Sequence, residues 1–273
     1  IRSSLSRFFF FFSIVALGVG FFAGVRATGS DMRLTADLYY DRTQLADVHV
    51  LSTMGLTQGD VEAAAAIPGV SGVMPALYVD LLTLSGENFT TRVISLPDLD
   101  PADPNYLNQL SLVEGRLPIA PDECVLDSAA AQEFGFSTGR VLTFAAGSSD
   151  QNLDDWLSRK SYTVVGIAES PLYIDMTRRG STTIGNGTLS AFVYIPQENF
   201  VTDYYTDLYI TYGPALSLAA YSEEYDAQVA LLLEELEALE EVRAPARLEE
   251  VRADAQAEID DAQAELDDAQ AEL

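Results

Sequence analysis

The sequence predicts an α+β domain set between two helices of opposite character, and three observations carry that prediction. Residues 8–25, from Phe8 to Val25, read FFFFFSIVALGVGFFAGV, a run of 18 residues without a charge. Between about residues 47 and 212, short strand-like runs alternate with isolated short helical patterns and with loops rich in Pro, Gly and Asp. That is the mark of α+β architecture rather than of a regularly alternating parallel sheet. From residue 221 the apolar spacing changes to a heptad and the composition turns acidic.

The apolar run comes first. At the 1.5 Å rise of a helix it covers about 27 Å, close to the roughly 30 Å hydrocarbon layer of a bilayer. Arg2 and Arg7 precede it and Arg26 follows it, so guanidinium groups reach both headgroup regions. Residues 1–29 therefore read as a transmembrane helix with its flanks, membrane lipid as its partner and the N-terminus inside. A cleaved signal peptide has a similar layout, with Val25-Arg26-Ala27 as its site. The run exceeds the usual apolar region of about 7–15 residues, however, and an Arg before the cleavage site is unusual. Both readings put the residues from about 30 onward outside the cytoplasm.

Residues 30–215 form the expected core domain, in two lobes. In the first, about 47–96, residues 47–52 alternate as a half-buried strand. Thr57 caps a helix that Pro68-Gly69 stops, and two strand-like runs follow, 70–84 and 90–96, joined by the turn residues 85–88. Residues 98–105 and 115–121 read as loops. In the second lobe, about 115–212, strands are expected at 123–126, 141–145, 162–168, 191–195 and 208–212, with a short helix at 128–134. Residues 175–188, with four Thr, three Gly and two Arg, read as a mobile loop.

Residues 216–273 are a different regime. Val229, Leu232, Leu236 and Leu239 keep 3-4 spacing, and from Asp254 three heptads begin DAQAE. Ile259, Leu266 and Leu273 fall on one seam position and Ala255, Ala262 and Ala269 on the other, the pattern of a coiled coil. The heptads run to Leu273 without a cap, which predicts a returning helix further on. Eighteen of the chain's 42 acids lie from residue 221 onward, against three bases. Self-pairing would bring like charges together, so a basic or mixed partner suits the seam better. Its half-Ala seam and Pro245 predict an arm that kinks near its base, projects from the core and adds little to its stability.

The chemistry this chain excludes is as informative. A net charge of −27 without a basic patch argues against nucleic acid. One Cys, Cys124, allows no intrachain disulfide and no Cys-based zinc site. It sits in DECVLDS without a basic activator and reads as a core residue. The only His, His49, lies on a half-buried strand and reads as structural. The cluster Asp98, Asp100 and Asp103 lacks a calcium-loop frame, and the Gly180–Thr188 loop lacks the Lys of a phosphate loop. No catalytic, cofactor-binding or metal-ligating set is therefore expected.

Several motifs together resemble a known family. The segment RFFFFFSIVALGVGFFAGVRATGSDMR is similar to the first transmembrane helix and its exit turn in FtsX-like permeases, the MacB and FtsX class of ABC transporter subunits. Glu114-Gly-Arg-Leu-Pro118, Asp122-Glu-Cys-Val-Leu-Asp127, Phe136-Ser-Thr-Gly139 and Tyr162-Thr-Val-Val-Gly166 resemble that family's extracytoplasmic core domain, in the same order. Arg140 stands where the family usually has Asp, at a surface turn. The resemblance covers roughly residues 1–212, and the acidic helix is similar to an insertion in some long Gram-positive members. It implies a permease part that works with a separate cytoplasmic ATPase subunit, with further permease helices or a second permease copy, and with an extracellular protein at the coiled coil. The division of labour predicts that the outer domain neither binds nor hydrolyses ATP. Without the resemblance, the residues also allow a single-pass adhesion or scaffold protein that assembles through its coil, or a membrane-tethered hydrolase lacking any visible polar constellation.

Overall fold

The computed structural model of the chain describes residues 2–84, 88–149, 151–175 and 179–271. Its elements are α1 (Arg2–Thr43), β1 (Val48–Leu56), α2 (Gln58–Ala65), β2 (Val70–Ala76), β3 (Tyr78–Thr83), β4 (Phe89–Leu96) and β5 (Ser111–Gly115). They continue as β6 (Glu123–Asp127), α3 (Ser128–Phe134), β7 (Val141–Ala145), β8 (Ser161–Glu169), β9 (Ala191–Pro196), β10 (Tyr205–Tyr212) and α4 (Glu223–Ala271). The class is α+β with an apolar N-terminal helix, as expected. Most of the turn at 85–88 lies outside the described residues.

Seven strands pair in the order β5-β8-β6-β9-β4-β3-β7, and β7 pairs back onto β8. One edge of β8 is shared: Ser161–Thr163 pair with β7, and Gly166–Glu169 pair with β5. The sheet thus closes into a barrel of six strands, with β5 as a strap outside the closure. Closure removes the open edges that a flat sheet exposes. Leu81, Val93, Cys124, Leu126, Leu142, Phe144, Tyr162, Val164, Val193 and Ile195 fill this core. Burial of the Cys124 thiol, with Glu123 nearby, pushes it above its ordinary range, so it stays a neutral apolar group.

The second sheet has only three strands, β1-β10-β2, all antiparallel. α2 and the first half of α4 cover one face, burying Leu56, Ala64, Val73, Leu208, Ile210 and Leu232. The chain passes from one sheet to the other at Leu77, whose N–H donates to Ser95 Oγ at 2.9 Å and whose carbonyl accepts Ser95 N at 2.8 Å. A shared apolar layer, including Met74, Ile94, Tyr194 and Tyr209, fills the seam.

This pairing corrects the expected division into lobes at 47–96 and 115–212. β3 and β4 belong to the barrel, whereas β10 leaves the second lobe to lie between β1 and β2. Local spacing shows that a segment is a strand but not which distant strand it joins. Residues 27–32, expected as an exit turn, continue α1, with Thr28 Oγ1 and Thr35 Oγ1 bonding back to the carbonyls of Gly24 and Asp31 at 2.8 Å. β5 arises in a stretch to which no element was assigned, because pairing to β8 fixes a segment whose side chains are largely exposed.

The loop at 175–188 is anchored where it was expected to be free. Arg179 donates to both oxygens of Asp127, at 2.6 and 2.9 Å, and both side chains are at most 5% exposed. Residues 176–178 of that loop lie outside the described residues. α4 differs most from expectation. It does not simply project: Leu232 is 0% exposed, Leu236 and Leu239 pack on the sheet, and the helix runs unbroken through Pro245. Two anchors bracket the proline. Arg243 donates to Asp60 Oδ1 at 2.6 Å, and Arg247 donates to the Met54 carbonyl. Only the distal part, where Ala255, Ile259 and Ala262 are exposed, stands free as a single helix. Leu266 and Ala269 continue it, and Leu273 lies outside the described residues.

Candidate functional site: the junction of the two long helices

α1 enters the domain and α4 leaves it at one place, and the local chemistry explains why. α1 ends in a Schellman arrangement: Gln44 N bonds to Asp41 O at 3.2 Å, Leu45 N bonds to Tyr40 O at 3.0 Å, and Gln44 sits at φ 49°. Two carbonyls left over at this end are taken by a distant loop, since Gln109 N donates to Thr43 O at 2.7 Å and Asn108 N donates to Gln44 O at 2.9 Å. Asn108 Oδ1 in turn accepts Ala46 N at 3.0 Å. The helix end is thus clasped rather than frayed.

Asp47 ties this end to both β10 and α4. Its Oδ2 accepts Tyr212 N at 2.7 Å and its Oδ1 accepts the Tyr225 hydroxyl at 2.6 Å. Burial and the Asp47 carboxylate push the Tyr225 hydroxyl above its ordinary range, so it remains a donor at any physiological pH. Two more links join the helices directly. Asp37 Oδ1 accepts Ala220 N at 2.6 Å, and the Tyr40 and Tyr221 hydroxyls lie 2.7 Å apart.

Among the described residues, the non-glycine positions with positive φ are Gln44, Asn108 and Tyr221, and all three lie in this junction. Such conformations are sparsely populated and persist only where surrounding contacts impose them. A cavity of about 470 Å³ lies beside them, bounded in part by Tyr40, Asp47, Leu107 and Tyr225. The junction holds no nucleophile paired with a base. Short polar bonds fix the two long helices to one sheet and to each other.

A second lock lies in the barrel, where the sequence motifs meet one another. Gly115 and Gly166 face each other across β5 and β8. A Cβ on Gly115 would stand 2.2 Å from Val165 O, and one on Gly166 would stand 2.3 Å from Arg116 O. Beside them Arg116 holds Glu123 at 2.5 and 2.7 Å, and Ile119 N adds a bond at 2.8 Å. The Arg116 guanidinium and then the Ile119 amide lower the Glu123 carboxyl to about 2.

The expected sites fall as follows. Phe8 and Val25 lie on α1 with exposed side chains, within the one helix among the described residues long and apolar enough to cross a membrane. His49 stacks on Tyr209 at 4.5 Å and contacts Asp207 at 2.5 Å, a structural setting. Asp100 and Asp103 cap turns of their own loop. The junction residues Asp37, Gln44, Asp47, Asn108 and Tyr225 carried no sequence signal beyond the strand start at Asp47.

Comparison with known proteins places the chain. The family model for the MacB-like periplasmic core domain matches residues 8–269. Among solved structures, the extracellular domain of the noncanonic ABC-type transporter YknZ from Gram-positive bacteria is similar at 12% identity and a TM-score of 0.38, over 68% of this chain and 87% of that one. The periplasmic region of MacB from Actinobacillus actinomycetemcomitans is similar at 14% identity and a TM-score of 0.38, over 68% and 75%. No curated protein matches.

Proposed function

The chain belongs to the MacB-like periplasmic core domain family of ABC transporter permeases, and from that premise we propose that it carries movement between a membrane helix and an extracytoplasmic domain. In this reading a separate cytoplasmic ATPase hydrolyses ATP, and the present chain is non-catalytic. The span lies in residues 1–29, the outer domain in residues 30–215, and the acidic helix α4 in the segment that follows. The acidic helix is the docking arm for an extracellular protein, while α1 meets the remaining permease helices or a second permease copy.

The observation that supports this most is the continuity of α1. It is 42 residues long, about 63 Å at 1.5 Å per residue, and runs from the apolar segment into the clasp without a break. A displacement of its membrane end therefore reaches Gln44 and Asp47 with little loss. From Asp47 it passes to β10 and to the first turn of α4, so the small sheet and the acidic helix move together while the closed barrel keeps its shape. Export of cargo or activation of an outer partner both need such a linkage.

The test uses the complete permease with its ATPase in lipid. Tyr40→Cys and Tyr221→Cys, bridged by a short bifunctional thiol reagent, should lock the junction and lower ATP hydrolysis by the complex, while either single variant should not. Cys124 is fully buried and will not compete for the reagent. Unchanged hydrolysis in the bridged protein would sink the coupling role, and failure of any ATPase to co-purify would sink the proposed partnership with a separate ATPase.

A further inference from the structure

The barrel carries a second concavity, remote from the helix junction in its composition and unused by the coupling just described. It measures about 610 Å³, within the range of small-molecule sites. Five separate parts of the chain build it: β3, the adjoining strand β4, Ser148 with residues from Gln151 to Trp156, residues 181–184 and the start of β10.

Its walls are fixed. Arg92 grips Asp80 with two bonds of 2.7 and 2.9 Å and lies 4.1 Å over the Tyr78 ring. Gln151 accepts Gly147 N at 2.8 Å and donates to Asp80 O at 3.3 Å, and Asn152 Nδ2 donates to Asp155 Oδ1 at 2.8 Å. The two facing loops are seated together by Ile184, which packs so closely on Gly147 that a Cβ there would meet Ile184 Cδ1 at 2.3 Å. Trp156, half-buried, supplies an indole to the lining. Exposed hydroxyls of Ser148, Ser181 and Thr183 complete the rim.

The charge inventory selects the ligand class. Asp80 and Arg92 neutralise each other, which leaves Asp155 as the one carboxylate among the described residues of the recess without a bound cation. Arg92 is already engaged by Asp80, so an anionic ligand would gain little, and Asp155 is exposed, so solvent screens its pull on a cationic one. What remains is an aromatic surface beside amides, carboxylate oxygens and hydroxyls that both donate and accept. A pyranose ring offers the complement, with an apolar C–H face for the indole and a periphery of hydroxyls for the planar polar groups. We propose that this recess binds an uncharged oligosaccharide on the outer side of the membrane.

Trp156 is the only tryptophan of the chain, so its fluorescence reports on this recess alone. The full chain in detergent should be titrated with the N-acetylglucosamine trimer, with maltotriose and with trialanine, each up to about 10 mM, a ceiling that reaches affinities weaker than millimolar. A saturable change is expected with at least one sugar and none with the peptide. Asn152→Ala and the pair Ser181→Ala with Thr183→Ala should each weaken that binding by about tenfold, the size of one lost polar contact, with thermal melting unchanged as the control for folding. Calorimetry with Trp156→Ala should show the heat of sugar binding lost. No sugar response, a response only to trialanine, or a sugar response that survives all of these substitutions would overturn the assignment.

Discussion

At Glu123 a single carboxylate joins two motifs that lie apart in the sequence, and its protonation can be used to measure what that junction contributes. The folded value of about 2 lies below the roughly 4.3 of a free glutamate. The contribution to stability is therefore complete above about pH 4.3 and is lost as the pH falls from there through about 2. Glu123→Gln should lower the melting temperature at pH 7 by an amount that shrinks steadily below about pH 4.3. A difference independent of pH would show that shape, not charge, holds the Arg116 turn. Gly166 makes the opposite kind of demand, on space alone. Gly166→Ala puts a methyl 2.3 Å from Arg116 O, a backbone atom that cannot swing aside. We expect a loss of about 2–3 kcal/mol, or roughly 4–12 °C of melting temperature in a domain of this size, and a variant that melts like the parent would refute the close approach.

The elements differ in how far local sequence reveals them. Thr57 and Asp60 announce the start of α2, where Thr57 N and Oγ1 both donate to Asp60 Oδ2 at 2.7 and 2.8 Å. Burial raises the Asp60 carboxyl, but the Arg243 and Thr57 bonds outweigh it and hold the group below its ordinary range. Alternation likewise marks the barrel strands, because each has one face in the core. α4 was legible as a helix but not as a packed one. Its early leucines and its later heptads share one spacing, and only the sheet surface opposite Leu232 distinguishes them. One deletion and one substitution separate the parts. Removing residues 252–273 should leave the melting temperature unchanged, since Ala255, Ile259 and Ala262 are exposed. Leu232→Ala, in contrast, should cost about 2–5 kcal/mol because it empties a fully buried site. Equal effects from the two changes would mean that the distal helix also packs on the body.

At the scale of the whole molecule, the sequence announced a span, a domain and an acidic helix but not the joint among them. The reason is physical: the junction is made of single bonds between residues 37–47, 108–109 and 212–225, and no periodic pattern records a contact across 165 positions such as Asp47 with Tyr212. Left-handed Gln44 and Asn108 are equally silent, because neither is the Gly that would flag such a turn. If the joint is a unit distinct from the barrel, it should open without unfolding the rest. Asp47→Ala removes the acceptor of both Tyr212 N and the Tyr225 hydroxyl, and stranding such part-buried donors costs about 1–3 kcal/mol. Amide hydrogen exchange should therefore speed up by about 5- to 150-fold in the last turn of α1 and the first turn of α4 together, at 1.4 kcal/mol per tenfold. Amides of β4, β6 and β9 in the barrel should exchange as before. Acceleration in α1 alone would show that the helices are not coupled through Asp47, and acceleration in the barrel would show that the joint and the core melt as one body.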